Sequence, residues 1–338
     1  MTRMTATFLA AVCVCGGVWS GCSKHAKPQV VVYTSVDQEL SEPILKDFER
    51  QTGIEVLPVY DAESAKTTGL VNRLITRKDS PDCDVFWNNE IVQMQRLAKM
   101  QLMQRGALGQ TPACPARYRD KALCWVAFAA RARVILVNTN LVGPQDMPKS
   151  MDDYTDPKWK GKAALANPFF GTSLTHMVVM DQRWGRHKLA AWLDGVRAND
   201  VAICPGNAAV KEMVAAGEKA WGVVDTDDAN EALASAKPVK VVMLPEPELV
   251  LIPNTVGVIR HAPHPAAAKR LAEYLLSAEV ERKLAASASK NMPLRTDLKD
   301  VVTPWHIDVQ SAPWYDVDQA AENVEPVVEL LKQKNLGG

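Results

Sequence analysis

The chain lacks a net charge: lysine plus arginine and aspartate plus glutamate number 39 each. No global field therefore recruits nucleic acid or an anionic bilayer, and any charge-based role must be local. Beyond its first two dozen residues it lacks an apolar run approaching the roughly 18 residues of a membrane span. It lacks GxGxxG, a Walker loop, HExxH and a Ser/His/Asp set in a nucleophile elbow, so the common dinucleotide, phosphoryl-transfer and hydrolase chemistries have no residues to carry them. Cysteines are few and form no CxxC pair, which disfavours a zinc site.

What is present is a chain of 338 residues with 47% hydrophobic content, long enough for two domains with a large core. Its opening, MTRMTATFLAAVCVCGGVWSGCSKHAKP, has a basic residue at Arg3 and an apolar stretch from Ala6 to Val18. That stretch is too short to span a bilayer and reads as a signal peptide over residues 1–22. Ser20-Gly21-Cys22 resembles the bacterial lipoprotein box, with Trp19 standing where an aliphatic residue is usual, and it predicts lipidation of Cys22. An ordinary secretory signal is the alternative, and both send the protein out of the cytoplasm. Export makes a disulfide the default for exported cysteines. Cys114 and Cys124 flank the polar excursion PARYRDKAL and form the expected pair, leaving Cys83 and Cys204 unassigned.

The remaining pattern alternates. QVVVYTSV, IEVLPVY and CDVFW read as strands. LSEPILKDFERQTG, SAKTTGLVNRLITRK and NNEIVQMQRLAKMQL read as helices, which predicts a parallel sheet covered on both faces. Such sheets take ligands beyond the carboxyl ends of their strands. CWVAFAARARVILVNTNLV is β-rich yet too long for one strand, so two halves are expected around Arg131 and Arg133. A second αβ series follows: GKAALANP, TSLTHMVVMDQRWG, HKLAAWLDGVRAN, VAICPG, NAAVKEMVAAGE and WGVVDT with DDANEALASA. A β-rich pair, VKVVMLP and NTVGVIR, closes it, and the chain ends in amphipathic helices. The expected layout is one lobe from residues 29–130 plus 256–338 and a second from 131–255. Two crossings between them make a hinge and leave a cleft.

WGVVDTDDANEAL ends a buried strand in Asp225, Asp227 and Asp228 just before a helix. Acids in a first helical turn are ordinary caps, each worth about 0.3–1 kcal/mol, so the run reads either as capping or as contact with something positive. Glu90 is equally ambiguous. Arg131 and Arg133 read as edge-strand surface charges or as anion holders. His176, in an apolar run, reads as a packed core histidine, and His261 and His264, in a Pro-rich loop, as solvated. Trp87, Trp125 and Trp221 fall on strands near the expected cleft and would suit an organic ammonium if they lined it.

Taken in order, VVVYTSVDQELSEPILKDFERQTGIEV, DVFWNNE, WVAFAARARVILVN, GNAAVKEMVAAGE and WGVVDTDDA resemble the extracellular solute-binding proteins of ABC importers, closest to the ferric-iron-binding branch. The resemblance runs from about residue 30 to about 295. It implies an α/β fold of the two-lobed periplasmic-binding-protein kind (type II-like), with a hinge and interlobe cleft. It implies a periplasmic protein, anchored through Cys22 or secreted, that hands its ligand to ABC permease and ATPase subunits, without nucleic-acid partners, organic cofactor or enzymatic turnover, and working as a monomer. Laid on YTSVD, the family's histidine ligand falls at Asp37. Its glutamate falls at Asn89 or Glu90, and its paired tyrosines fall at Asp227 and Asp228. The phenolate pattern is thus replaced by acids.

Asp37, Glu90, Asp225, Asp227 and Asp228 are accordingly the expected metal set. Carboxylates so gathered raise one another's pKa unless a cation lies between them, and all-oxygen donors suit a hard ion such as iron(III), Mn(II) or Ca(II). A purely anionic substrate fits worst. Tyr33, Ser35, Asn89, Arg131, Thr172, Ser173 and Asn207 are the expected contacts for a synergistic anion or the rest of a ligand, several of them at helix N-termini. A polyamine or amino-phosphonate binder is the rival within the fold. A glycoside hydrolase working with two cleft carboxylates is the rival outside it.

Overall fold

The computed structural model describes residues 27–61, 67–109 and 113–336; the signal segment and Cys22 lie outside the described residues. The first half of the chain is built as its periodicities require. Strands β1 (Gln29–Thr34), β2 (Glu55–Tyr60) and β3 (Val85–Asn88) alternate with helices α1 (Gln38–Thr52), α2 (Thr68–Thr76) and α3 (Val92–Lys99). β1 lies parallel between β2 and β3. Ile44, Leu45 and Phe48 form the buried stripe of α1, and the helix stops at Gly53, whose φ of 71° a side chain would disfavour.

The β-rich stretch expected to be two strands is one. β4 (Val126–Asn138) runs 13 residues without interruption, buried along its whole length. Its partners change midway instead. Val126–Ala132 pair antiparallel with β9 (Leu251–Val258), and Arg133–Asn138 pair with β7 (Trp221–Asp225) and β8 (Val239–Met243). A register shift between Phe128 and Ala130 precedes the change. β4 thus belongs to two sheets: β2-β1-β3-β9-β4 on one side, and β4-β7-β5-β6 with β8 on the other. In the second sheet β5 (Ala163–Ala166) is central, parallel to β6 (Ala202–Cys204) and to β7.

The second sheet carries α4 (Gly171–Trp184), α5 (Arg186–Ala198), α6 (Asn207–Ala216) and α7 (Thr226–Ala234). Gly222 matters here, because a Cβ on it would come within 2.5 Å of the Ala164 carbonyl oxygen and of Val210 Cγ1. Its absence lets α6 sit close on β7. After β9 come α8 (Pro265–Leu275), α9 (Ala278–Ala286) and α10 (Val317–Gln333). The last packs against both α3 and α4, and so against helices of both sheets. Among the described residues no helix is long and apolar enough to cross a membrane.

Two expectations need correction. Cys114 and Cys124 are free thiols, as are Cys83 and Cys204. Cys114 Sγ is instead buried against the carbonyl oxygens of Ala127 and Tyr118, at 3.5 and 3.8 Å. His264 is not simply solvated: buried Asp84 accepts its backbone N–H at 2.6 Å, lies 2.9 Å from its Nδ1, and takes the Val31 amide at 2.7 Å, tying α8 to the first sheet. His176 is fully buried on α4, and burial, with Arg133 and Arg183 nearby, holds its pKa well below the ordinary histidine value.

Candidate functional site

Five parallel strands, two from the first sheet and three from the second, end at one cavity of about 560 Å³. β1 delivers Asp37 and β3 delivers Asn89. β5 delivers Asn167 and the turn to Gly171–Ser173, β6 delivers Pro205–Asn207, and β7 delivers Asp225, Asp227 and Asp228. This is the carboxyl-end position favoured for ligands in α/β sheets. The lining is of two kinds: the carboxylates Asp37, Glu39, Asp227, Asp228 and Glu231, and the first turns of α4 and α6, whose N–H groups suit an anion.

Arg131 and Arg133 join the two kinds of lining. They lie two positions apart on β4 and so project to one face, and Arg133 stands directly opposite Asp225 in the antiparallel register. Arg133, with no exposed surface, donates from Nη1 to Asp225 Oδ1 at 2.7 Å, to Asn207 Oδ1 at 3.0 Å and to Thr172 Oγ1 at 3.3 Å. It thereby ties α4, α6 and α7 at their starts. Arg131 donates from Nη1 to Asp225 Oδ2 at 3.1 Å and to Asp227 Oδ2 at 3.4 Å, and from Nη2 to the Asn89 carbonyl oxygen.

The two aspartates respond differently. Burial alone would raise Asp225, yet the two guanidiniums outweigh it and hold its carboxyl below the usual range. Burial pushes Asp227 up to about 6; Arg131 opposes the shift, and the charges of Asp225 and Asp37 add to it. Oxygens of Asp225, Asp227 and Asp228 lie within 4.8 Å of one another, and Asp228 is the most exposed of the three.

Of the expected metal set, Asp37, Asp225, Asp227 and Asp228 line the cavity, and Glu90 does not. Its carboxylate folds back over the start of α3, accepting the Val92 and Gln93 amides at 2.7 and 3.0 Å, the Asn88 side chain at 2.7 Å and the Thr175 hydroxyl of α4 at 2.8 Å. Burial raises its pKa against those hydrogen bonds. Of the expected anion contacts, Asn89, Arg131, Thr172, Ser173 and Asn207 face the cavity. Tyr33 is turned away, donating to Asp82 at 2.6 Å beneath the Arg73 guanidinium. Ser35 is occupied behind the wall, donating to the Asn88 side chain at 2.6 Å and accepting the Asn89 amide at 2.9 Å. Trp87, Trp125 and Trp221 are buried in the sheets and none reaches the cavity, where Phe170 is the lining aromatic.

Sequence reasoning missed Glu39, Glu231 and the Ser287–Ala288 turn. Glu39 lies two positions after Asp37, in the first turn of α1, and Glu231 sits in α7, whose first-turn acids were already singled out. Glu231 follows Asp227 by four positions and Asp228 by three, so helical spacing would have placed it on their face. The Ser287–Ala288 turn, after α9, had no such signal. It meets α7 through a hydrogen bond from Asn230 Nδ2 to the Ala288 carbonyl oxygen, 2.7 Å long.

The family model described as bacterial extracellular solute-binding protein matches residues 44–314. The major ferric iron-binding protein of Neisseria meningitidis serogroup A is 24% identical over 325 residues, covering 92% of this chain and 94% of its own. Among solved structures, iron-bound HitA from Pseudomonas aeruginosa superposes with a TM-score of 0.78 at 19% identity, over 91% of this chain and 100% of that one. The periplasmic binding protein AfuA from Actinobacillus pleuropneumoniae, with exogenous fructose-6-phosphate bound, gives 0.79 at 17%, over 91% and 99%. These neighbours share one two-lobed fold, one of them iron-bound and the other with fructose-6-phosphate bound. With its family model matched over residues 44–314, most of the chain, the chain belongs to the bacterial extracellular solute-binding proteins.

Proposed function

We propose that this protein is the capture subunit of an ABC importer for a hard metal ion, iron(III) foremost, that arrives with an oxyanion or carboxylate partner. The observation carrying this reading is the convergence of Asp225, Asp227 and Asp228 oxygens within 4.8 Å of one another on a cavity wall, with Asp37 on the same cavity. Carboxylates are the donors a hard ion selects. Asp225 has both oxygens engaged by arginine and is assigned the orienting of the arginines; Asp227, Asp228 and Asp37, which line the cavity, are assigned as the ligands. The ferric-binding relative supports the choice of ion. A cavity of about 560 Å³ exceeds what a bare ion fills, and the starts of α4 and α6, with Thr172, Ser173 and Asn207, offer donors to the partner anion.

In this reading the protein works in the periplasm, held to a membrane through lipidated Cys22, and passes its load to a permease with its ATPase as a monomer. The lobes of residues 29–130 plus 256–338 and of 131–255 close on the ligand, and closure is driven by contacts that exist only in the closed form.

The test is a thermal melt with and without ferric citrate, MnCl2 and CaCl2. Wild type is stabilised by at least one, by about 2.7 kcal/mol when the ligand stands at a hundred times its Kd. Asp227→Ala combined with Asp228→Ala loses that shift and stays folded; an unchanged shift in the double variant would overturn the assignment. An amino-phosphonate is the second reading, favoured by the presence of both carboxylates and helix N-termini around one cavity. Stabilisation by 2-aminoethylphosphonate and by no metal would select it. The polyamine alternative loses ground because, among the described residues, no tryptophan lines the cavity.

A further inference from the structure

We infer that Arg131 is a resident competitor for the cation, occupying the acidic cluster so that a bare divalent ion is rejected and an ion arriving with its own anion is accepted. The inference rests on the cation-binding reading above and extends it to selectivity. Arg131 is not needed to neutralise Asp225, whose Oδ1 is already held by Arg133 at 2.7 Å. Its distinctive contact is with Asp227 Oδ2 at 3.4 Å, the longer and weaker of its two carboxylate contacts, and Asp227 faces the cavity. The guanidinium is also held by the Asn89 carbonyl oxygen, its buried Nε finds no acceptor among the described residues, and the residue, which lines the cavity, is 6% exposed.

Two consequences follow from charge. A cation among Asp37, Asp227 and Asp228 lies against a positive group that cannot lose its proton, so its affinity is reduced unless the guanidinium is drawn away from Asp227. An oxyanion bound with the cation reverses the sign. It gives Arg131 a replacement acceptor within reach of the α4 and α6 starts, and the repulsion becomes an attraction. Arg131 therefore penalises the bare ion and rewards the complex. Lysine at this position keeps the charge and loses the fork; glutamine keeps a donor for Asn89 and loses the charge.

The test titrates wild type, Arg131→Gln and Arg131→Lys with MnCl2, CaCl2 and ferric citrate, following binding by calorimetry and folding by circular dichroism. Arg131→Gln is expected to bind Mn2+ or Ca2+ about tenfold or more tightly than wild type and to lose its preference for ferric citrate. Arg131→Lys is expected to stay close to wild type for the bare ions. A folded Arg131→Gln that binds the bare ions as weakly as wild type, or more weakly, overturns the inference and leaves the metal reading standing. Failure of every protein to bind any of the three probes overturns both. Should the glutamine variant not fold, Arg131→Met removes the same charge and the same outcomes apply.

Discussion

Glu90 and the Asp225–Asp228 run begin as the same sequence motif, acids at the junction of a buried strand and a helix, and end with opposite assignments. Glu90 reaches back to its own helix, fills the Val92 and Gln93 amides, and disappears behind the wall. Asp225 occupies the corresponding position before α7 and makes no side-chain cap bond, because both its oxygens are taken by arginines from the neighbouring strand. Asp227 and Asp228 are left facing the cavity. What separates the two cases is not the acids but their neighbours. A long side chain with only amides and hydroxyls nearby becomes a cap, while a short one opposite two guanidiniums becomes part of an electrostatic network.

That contrast can be broken most forcefully at Arg133. Replacing it with methionine strands Asp225 as a buried, half-paired charge and unties α4, α6 and α7. A loss of about 3–5 kcal/mol in denaturant unfolding is expected, and a loss below about 1 kcal/mol would show the network to be slack.

Asp227 sharpens the contrast through pH. Its folded pKa of about 6 lies above its ordinary value of 3.8, so the folded chain keeps a proton that the unfolded chain has already released. Its contribution to stability is full below about pH 4 and lost as pH rises through about 6. Without metal, Asp227→Asn should flatten that part of the stability profile. With metal the sign reverses for binding, which strengthens over the same window as the proton leaves.

Glu90→Gln should cost less, about 1–2 kcal/mol, since its amide cannot accept from all the donors now satisfied. It should leave the metal-dependent melting shift unchanged, and a lost shift would return Glu90 to the ligand set. Reduction with dithiothreitol should have the smallest effect, leaving the melting temperature of the purified protein in place, since Cys114 and Cys124 are not bridged.

The α/β alternation was legible because helices and half-buried strands carry periods of 3.6 and 2. β4 was not legible as one strand. Every residue from Val126 to Asn138 is buried, so alternation is absent, and the partner change at Arg133 depends on strands some ninety and some hundred and twenty residues away. The same distance hid the ion pairs: Arg131 and Arg133 read equally well as surface charges until Asp225 is seen across the ladder. Asp227 and Asp228, which line the cavity, were singled out because they follow the end of β7, and Glu90, which does not line it, because it follows the end of β3. The missing disulfide follows from burial direction, since spacing between two cysteines says nothing of where each thiol points.

Arg131 stands across from Ile252 and Arg133 across from Asp225, so the single peptide step where β4 changes sheets falls between two like charges that share one counter-ion. Two such side chains keep their spacing only while the strand between them stays straight. Any rotation of one sheet against the other must swing one guanidinium relative to its twin and redistribute Asp225 between them. Should β4 serve as the pivot of the proposed lobe closure, it would also divide charge, and motion and electrostatic state would be read out by the same three side chains.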